Sequence, residues 1–106
     1  MNQIDLNSYL GGMSALPRST TILREEGLRA LLLHLASGEE IPEHQSRGAI
    51  TVHCLIGRVT FFRGDEPADL KPGVLISLPA GANHKLKAAE DSLLLVTLSE
   101  AVAPRP

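Results

Sequence analysis

Four histidines and one cysteine are the side chains of this chain that best suit metal binding or catalysis. His44 follows a short acidic stretch, and His84 follows a turn built around Pro79 and Gly81. A proline fixes its own φ angle, and a glycine adopts backbone conformations that other residues avoid, so we expect this turn to be rigid. A rigid turn would hold the imidazole of His84 in one place, as a metal ligand or a general base requires.

His53 is the candidate for a third metal ligand, because a first-row metal usually takes at least three protein ligands. It lies on a predicted strand, residues 50–56. Strict alternation along this strand turns His53 away from the face of its first residue. A bulge near residues 46–49 would change the register and turn His53 toward a pocket. The sequence leaves open whether His53 faces the pocket or the sheet surface.

Other reactive or charged side chains have simpler explanations. His34 lies in a leucine-rich segment, where a core or interface histidine is expected. Cys54 is next to His53, but adjacent strand residues point to opposite faces, which argues against a Cys–His nucleophilic pair. Because Cys54 is the single cysteine, an internal disulfide is excluded. Arg47 and Arg58 could meet an anionic ligand at the mouth of a pocket, although ordinary solvated charges would need no such role.

The composition favours one small domain with an aliphatic core. The chain has 106 residues, 43% of them hydrophobic, with two Phe, one Tyr and no Trp. Its 10 basic and 12 acidic residues are scattered, so neither nucleic acid nor a membrane surface is an expected partner. No apolar stretch approaches the roughly 20 residues that span a bilayer, and no basic and apolar leader is present. We therefore expect a cytoplasmic protein.

Short apolar segments separated by Gly, Pro and Asp predict an all-β domain. Residues 28–36 are ambiguous, since their Leu, Ala and Arg favour a helix whereas their length and flanking glycines favour a buried strand. A helix there would leave the sheet short of a strand, so we predict a strand. The predicted strands, about eight in all, are residues 20–24, 28–36, 50–56, 58–63, 68–70, 74–78, 84–88 and 92–98. Eight strands suffice to close a small barrel around side chains or one small ligand.

Two spaced motifs in this chain resemble those of the cupin superfamily. The first family motif runs Gly, five residues, His-x-His, three or four residues, Glu, six residues, Gly. Gly38, His44 and Gly57 stand in the matching places. The second histidine of the motif corresponds to Ser46, and its glutamate corresponds to Ile50.

The second motif is the more specific of the two. It runs Gly, five residues, Pro-x-Gly, two residues, His, three residues, Asn. The matching residues are Gly73, Pro79, Gly81 and His84, while Ala88 replaces the asparagine. The resemblance implies a cupin jelly-roll barrel, also called a double-stranded β-helix, over residues 19–99. We predict an N-terminal arm at 1–18 and a flexible tail at 100–106.

The resemblance also implies three alternative functions. Cupins commonly bind iron, manganese, nickel or zinc through the histidines and glutamate of these motifs, and here only His44 and His84 match. The first alternative is a small organic ligand in an aliphatic pocket, with a divalent metal held weakly by these two histidines. The second is a metal-dependent dioxygenase, isomerase or decarboxylase that also uses His53. The third is a non-catalytic sensing or interaction module, a homodimer that pairs through a sheet edge at residues 28–36.

Overall fold

Nine strands in two antiparallel sheets make up most of the computed structural model, which describes residues 1–100. The strands are β1 (Ser19–Glu25), β2 (Leu28–Leu35), β3 (Glu40–Gln45), β4 (Ile50–Ile56), β5 (Val59–Arg63), β6 (Glu66–Leu70), β7 (Leu75–Leu78), β8 (Asn83–Ala88) and β9 (Ser92–Ser99). One sheet has the order β1-β2-β9-β4-β7 and the other the order β3-β8-β5-β6. The predicted all-β jelly-roll class is confirmed, although the two sheets face each other without closing into one continuous barrel.

The leucine-rich segment is a strand, as predicted, and not a helix. β2 pairs along its whole length with β9 and on its other side with β1. Leu31 and Leu35 point into the core between the sheets, and Leu33 packs against it. Because both of its edges are paired within the chain, β2 is not the exposed sheet edge that we expected for a dimer contact. The outer strands of this sheet are β1 and β7.

β3 is the strand that the sequence did not predict. It is a polar strand at the edge of its sheet, and only Ile41 packs against the core. Its register with β8 shifts between Ile41 and His44, so Pro42 and Glu43 lie in an irregular stretch. An edge strand with a bulge tolerates a proline, because no partner strand needs the absent N–H.

The core between the sheets is aliphatic, with one aromatic ring. Its fully buried side chains include Leu35, Val59, Phe61, Leu70 and Leu94. β8 alternates strictly between exposed and buried residues, which places His84 and Leu86 on the inner face. The alternation along β8 therefore places the imidazole of His84 in an otherwise apolar interior.

The segment before β1 contacts the outer face of the larger sheet. It contains a short helix, α1 (Asn7–Leu10), and a 3-10 turn at Met13–Ala15. The Nδ1 atom of His34 lies 3.0 Å from the carbonyl oxygen of Leu16, and the backbone N–H of His34 donates to Arg18.

No helix in residues 1–100 is long and apolar enough to cross a membrane. Of the predicted tail, only Glu100 is among the described residues.

Candidate functional site

The turn between β7 and β8 fixes the start of β8. Gly81 has a φ of +78°, a conformation that glycine adopts without strain. Its N–H donates to the carbonyl oxygen of Ser46 at 2.9 Å, and the N–H of Ala82 donates to Pro79 at 3.4 Å. The turn is therefore tied to the chain that leaves β3, so the two sequence motifs are joined by a hydrogen bond immediately beside their histidines.

His44 and His84 are direct cross-strand partners in the pairing of β3 with β8. Their ring centroids are 4.0 Å apart, with an angle of 63° between the ring planes. On its other side His84 stacks on Phe61, with centroids 5.4 Å apart and planes within 10°. Phe61 was not a predicted site residue, although its alternation with Val59 on one short strand was a signal for an inward position.

Both imidazoles use the same nitrogen to hold their orientation. The Nδ1 atom of His44 lies 2.9 Å from the carbonyl oxygen of Pro42, and that of His84 lies 3.1 Å from the carbonyl oxygen of Ala82. Since a carbonyl oxygen only accepts, each Nδ1 carries a proton, and in the neutral form of either ring the lone pair is on Nε2. This is the arrangement of a histidine that binds a metal or accepts a hydrogen bond from a ligand.

Burial sets the protonation state of His84. Only 3% of the residue is exposed, and the desolvation lowers the pKa of its imidazole below the ordinary value, with a smaller contribution from His44 in the same direction. The hydrogen bond to Ala82 opposes this shift. At neutral pH the ring is therefore uncharged, whereas His44 lies at the exposed end of the pair.

Acid should destabilise the fold through His84. Its pKa is lower in the folded chain than the roughly 6.5 of an unfolded histidine, so the unfolded chain takes up more protons as the pH falls. The contribution of His84 to stability is complete above about pH 6.5 and is lost progressively below it. We expect His84→Gln to reduce the slope of unfolding free energy against pH between about 5 and 6.5, measured by urea denaturation. His53→Gln is the control, and an equal change of slope in both variants would contradict this assignment.

A cavity of about 150 Å³ opens beside the two imidazoles, between the sheets. Its polar side chains are Ser19, His44, Ser46 and His84. The apolar ones are Leu31, Leu33, Ile41, Ile50, Val52, Phe61, Leu86, Val96 and Leu98. Both inner faces contribute to this wall, which makes the cavity a pocket of the jelly roll itself.

The structure does not bring His53 to this pocket. β4 pairs with β9 in unbroken register from Ile50 to Cys54, so no bulge precedes His53 on this strand. Ile50, Val52 and Cys54 belong to the core, and strand alternation turns His53 to the opposite face. The irregularities instead fall in β3 and after Cys54. The predicted site of three histidines is therefore not formed.

The residues around the cavity do not make a complete metal site. Ser46 and Ile50, which stand where the family motif has its second histidine and its glutamate, both line the cavity. Within residues 1–100, no group of three or more His, Cys, Asp or Glu side chains is placed to hold a metal ion. Two imidazoles are one ligand short of the usual minimum, so a metal ion here would need donors from water or from a ligand.

The remaining candidates lie outside the site. Cys54 is buried, and desolvation raises the pKa of its thiol, as expected for an inert core cysteine. Arg58 makes two hydrogen bonds to Asp69, at 2.9 and 2.8 Å, so its guanidinium is already engaged by a carboxylate. Arg47, in contrast, lines a hollow beside the cavity.

Comparison with known proteins identifies the family. The model of the cupin domain matches residues 31–99, so the chain belongs to the cupin domain family. The TT1209 protein of Thermus thermophilus is 28% identical with a TM-score of 0.74, and the match covers 95% of this chain and all (100%) of that one. A cupin-2 domain protein of Shewanella frigidimarina, 17% identical, has a TM-score of 0.76 over 92% of this chain and 94% of that one.

A third structure has a similar degree of likeness. The SPY1581 protein of Streptococcus pyogenes, described as of unknown function, is 29% identical with a TM-score of 0.73. The match covers 80% of this chain and 75% of that one. No curated protein matches the sequence. The comparisons therefore establish the family and the fold. The function has to be inferred from the geometry of the pocket.

Proposed function

We propose that this cupin binds a small, largely apolar organic molecule in the cavity between its sheets. The observation that supports this most is the combination of an aliphatic wall with two oriented imidazoles at one side. Pockets of this kind bind the body of a ligand through apolar contacts and orient it through a few polar groups. The Nε2 atoms of His44 and His84 accept hydrogen bonds from a hydroxyl or amide of the ligand.

The size of the cavity limits the part of the ligand inside it to about six carbon atoms. A cavity of about 150 Å³ is comparable to an engineered apolar cavity that takes up benzene. The five-carbon alkyl chain of hexanamide would bury about five carbon groups at roughly 0.8 kcal/mol each, or about 4 kcal/mol in total. Because association also costs translational and rotational freedom, this corresponds to a dissociation constant of about 1 mM or weaker, before any contribution from the imidazoles.

Ligand binding as proposed here does not require a divalent metal. His44 and His84 offer two nitrogen donors, which supports weak binding of an ion such as zinc or nickel and not a tightly held resident metal. A metal-dependent enzyme that uses His53 has no support from the position of that residue on β4. Homodimer formation stays a prediction, and so does the cytoplasmic location.

Binding of hexanamide, measured by titration calorimetry, tests the proposal. Leu33 lines the cavity, so the larger ring of Leu33→Phe should fill it and weaken binding at least roughly tenfold. The matched control is Leu28→Phe on the same strand, because Leu28 is 46% exposed and lies outside the cavity wall. This variant should bind hexanamide as the unmodified chain does.

A second titration tests whether hexanamide binding requires a metal ion. Protein treated with EDTA should bind hexanamide unchanged, since the proposed contacts are made by side chains alone. Loss of binding after chelation would show that a metal is essential and would contradict the proposal. Equal binding by Leu33→Phe and Leu28→Phe would place the ligand elsewhere.

A further inference from the structure

A second hollow adjoins the aliphatic cavity. It has a volume of about 360 Å³ and shares two wall residues, Ser46 and Leu98, with the cavity. Its remaining lining is polar and includes Arg29, Arg47 and Glu100. The two spaces therefore lie side by side at Ser46 and Leu98, which places charged groups next to the aliphatic cavity.

Arg29 has a buried N–H that makes no hydrogen bond within residues 1–100. It lies two positions before Leu31 on β2, so strand alternation directs it to the inner face of the sheet. Its Nε atom is buried and has no hydrogen-bond partner within residues 1–100. This Nε lies 3.7 Å from a carboxylate oxygen of Glu100, which makes an ion pair without a hydrogen bond. A buried donor of this kind is normally satisfied by a ligand or by water.

Arg47 adds a second positive charge to the same hollow. It is exposed, and its guanidinium makes no ion pair with any carboxylate in the described part of the chain. Within residues 1–100, two guanidinium groups and the carboxylate of Glu100 give the hollow a net charge of +1. The net charge of the whole chain is −2, so the charge of the hollow is opposite in sign to that of the protein. A charge of +1 balances one monoanionic group.

We infer that the ligand of this pocket carries a carboxylate, which Arg29 and Arg47 bind while its apolar chain occupies the aliphatic cavity. This inference rests on the proposed function and adds the chemical class of the ligand. A guanidinium offers two parallel N–H donors that match the two oxygens of a carboxylate. A phosphate would bring up to two negative charges, which exceeds the charge of the hollow.

Hexanoate and hexanamide test the inference, because they share a chain and differ in the head group: a carboxylate that Arg29 and Arg47 bind, or an amide that donates to the imidazoles. At pH 7.5 and low salt, the unmodified protein should bind hexanoate roughly tenfold more tightly than hexanamide. Arg29→Gln and Arg47→Gln should each remove most of this preference and leave hexanamide binding unchanged. Lys71→Gln, which removes one positive charge from a turn outside both hollows, is the control and should keep the preference.

The outcomes distinguish this inference from the proposed function. Equal binding of hexanoate and hexanamide would overturn the carboxylate assignment and leave the pocket intact. Failure of both probes to bind would overturn the proposed function itself. If Lys71→Gln and Arg29→Gln reduce the preference for hexanoate equally, the preference comes from the overall charge of the protein. That result would also overturn the assignment to Arg29. Melting temperatures of the variants check that each one is folded.

Discussion

Gly57→Ala is expected to destabilise the fold by about 3 kcal/mol or more, which is a large part of the stability of a small domain. Gly57 connects β4 to β5 with a φ of +89°, where any other residue is strained by roughly 1–2 kcal/mol. An added Cβ would also lie 2.3 Å from the carbonyl oxygen of Asp91 and 2.7 Å from the Cα of Ser92. These are backbone atoms, so the chain before β9 would have to move.

Gly73→Ala separates the cost of the positive φ angle from the cost of the close contact made by an added Cβ. Gly73 has a φ of +93°, but a Cβ there would meet nothing within 4 Å. This variant should lose only the conformational part, roughly 1–2 kcal/mol. Urea denaturation of both variants gives the comparison. Equal losses would contradict the close contact between Gly57 and the chain before β9.

Phe61→Ala is expected to cost about 3–5 kcal/mol, the usual range for removing a buried aromatic ring. Phe61 is only 2% exposed and stacks on His84, so the truncation would also enlarge the cavity beneath that imidazole. Burial is the main reason that the pKa of His84 is low. Water admitted by the truncation should therefore raise the pKa of His84 toward about 6.5, which NMR titration can follow.

Phe62→Ala is the matched control for Phe61→Ala. Phe62 is the next residue on β5 and faces the other side of the sheet, where the ammonium of Lys85 lies 4.9 Å from its ring centroid. Its removal should cost clearly less and leave the pKa of His84 unchanged. A loss as large as that of Phe61→Ala, or a shifted pKa for His84, would contradict the inward position of Phe61. Phe61→Leu keeps most of the volume if Phe61→Ala does not fold.

The predictable parts of the fold are those with strong local signals. Residues 28–36 were correctly predicted as a strand, since neighbouring segments had the rhythm of a sheet and a lone helix would have broken it. The turn at Pro79 and Gly81 was also recognisable, because proline and glycine constrain the backbone directly. β3 was missed because an exposed edge strand with Pro42 has neither apolar alternation nor continuous pairing.

The site was predictable only where a motif coincided with such a signal. The two motifs predicted that His44 and His84 lie close together, but their cross-strand pairing was not predicted, because β3 was missed. His53 depended on the register of β4, which a sequence specifies only weakly when the position of a bulge is unknown. The Nε of Arg29 lacks a hydrogen bond because Glu100 lies 3.7 Å away, a tertiary relation without a local sequence signal.

The most direct test of a ligand site between the sheets is a titration with hexanamide followed by ¹⁵N NMR of the histidine side chains. Such a site predicts saturable shifts for the Nε2 signals of His44 and His84, with His34 and His53 unchanged as internal controls. It also predicts that both pocket rings are protonated on Nδ1 before the ligand is added. Shifts of His53 in place of His44 and His84, or no shift in any of the four, would contradict a ligand site between the two sheets.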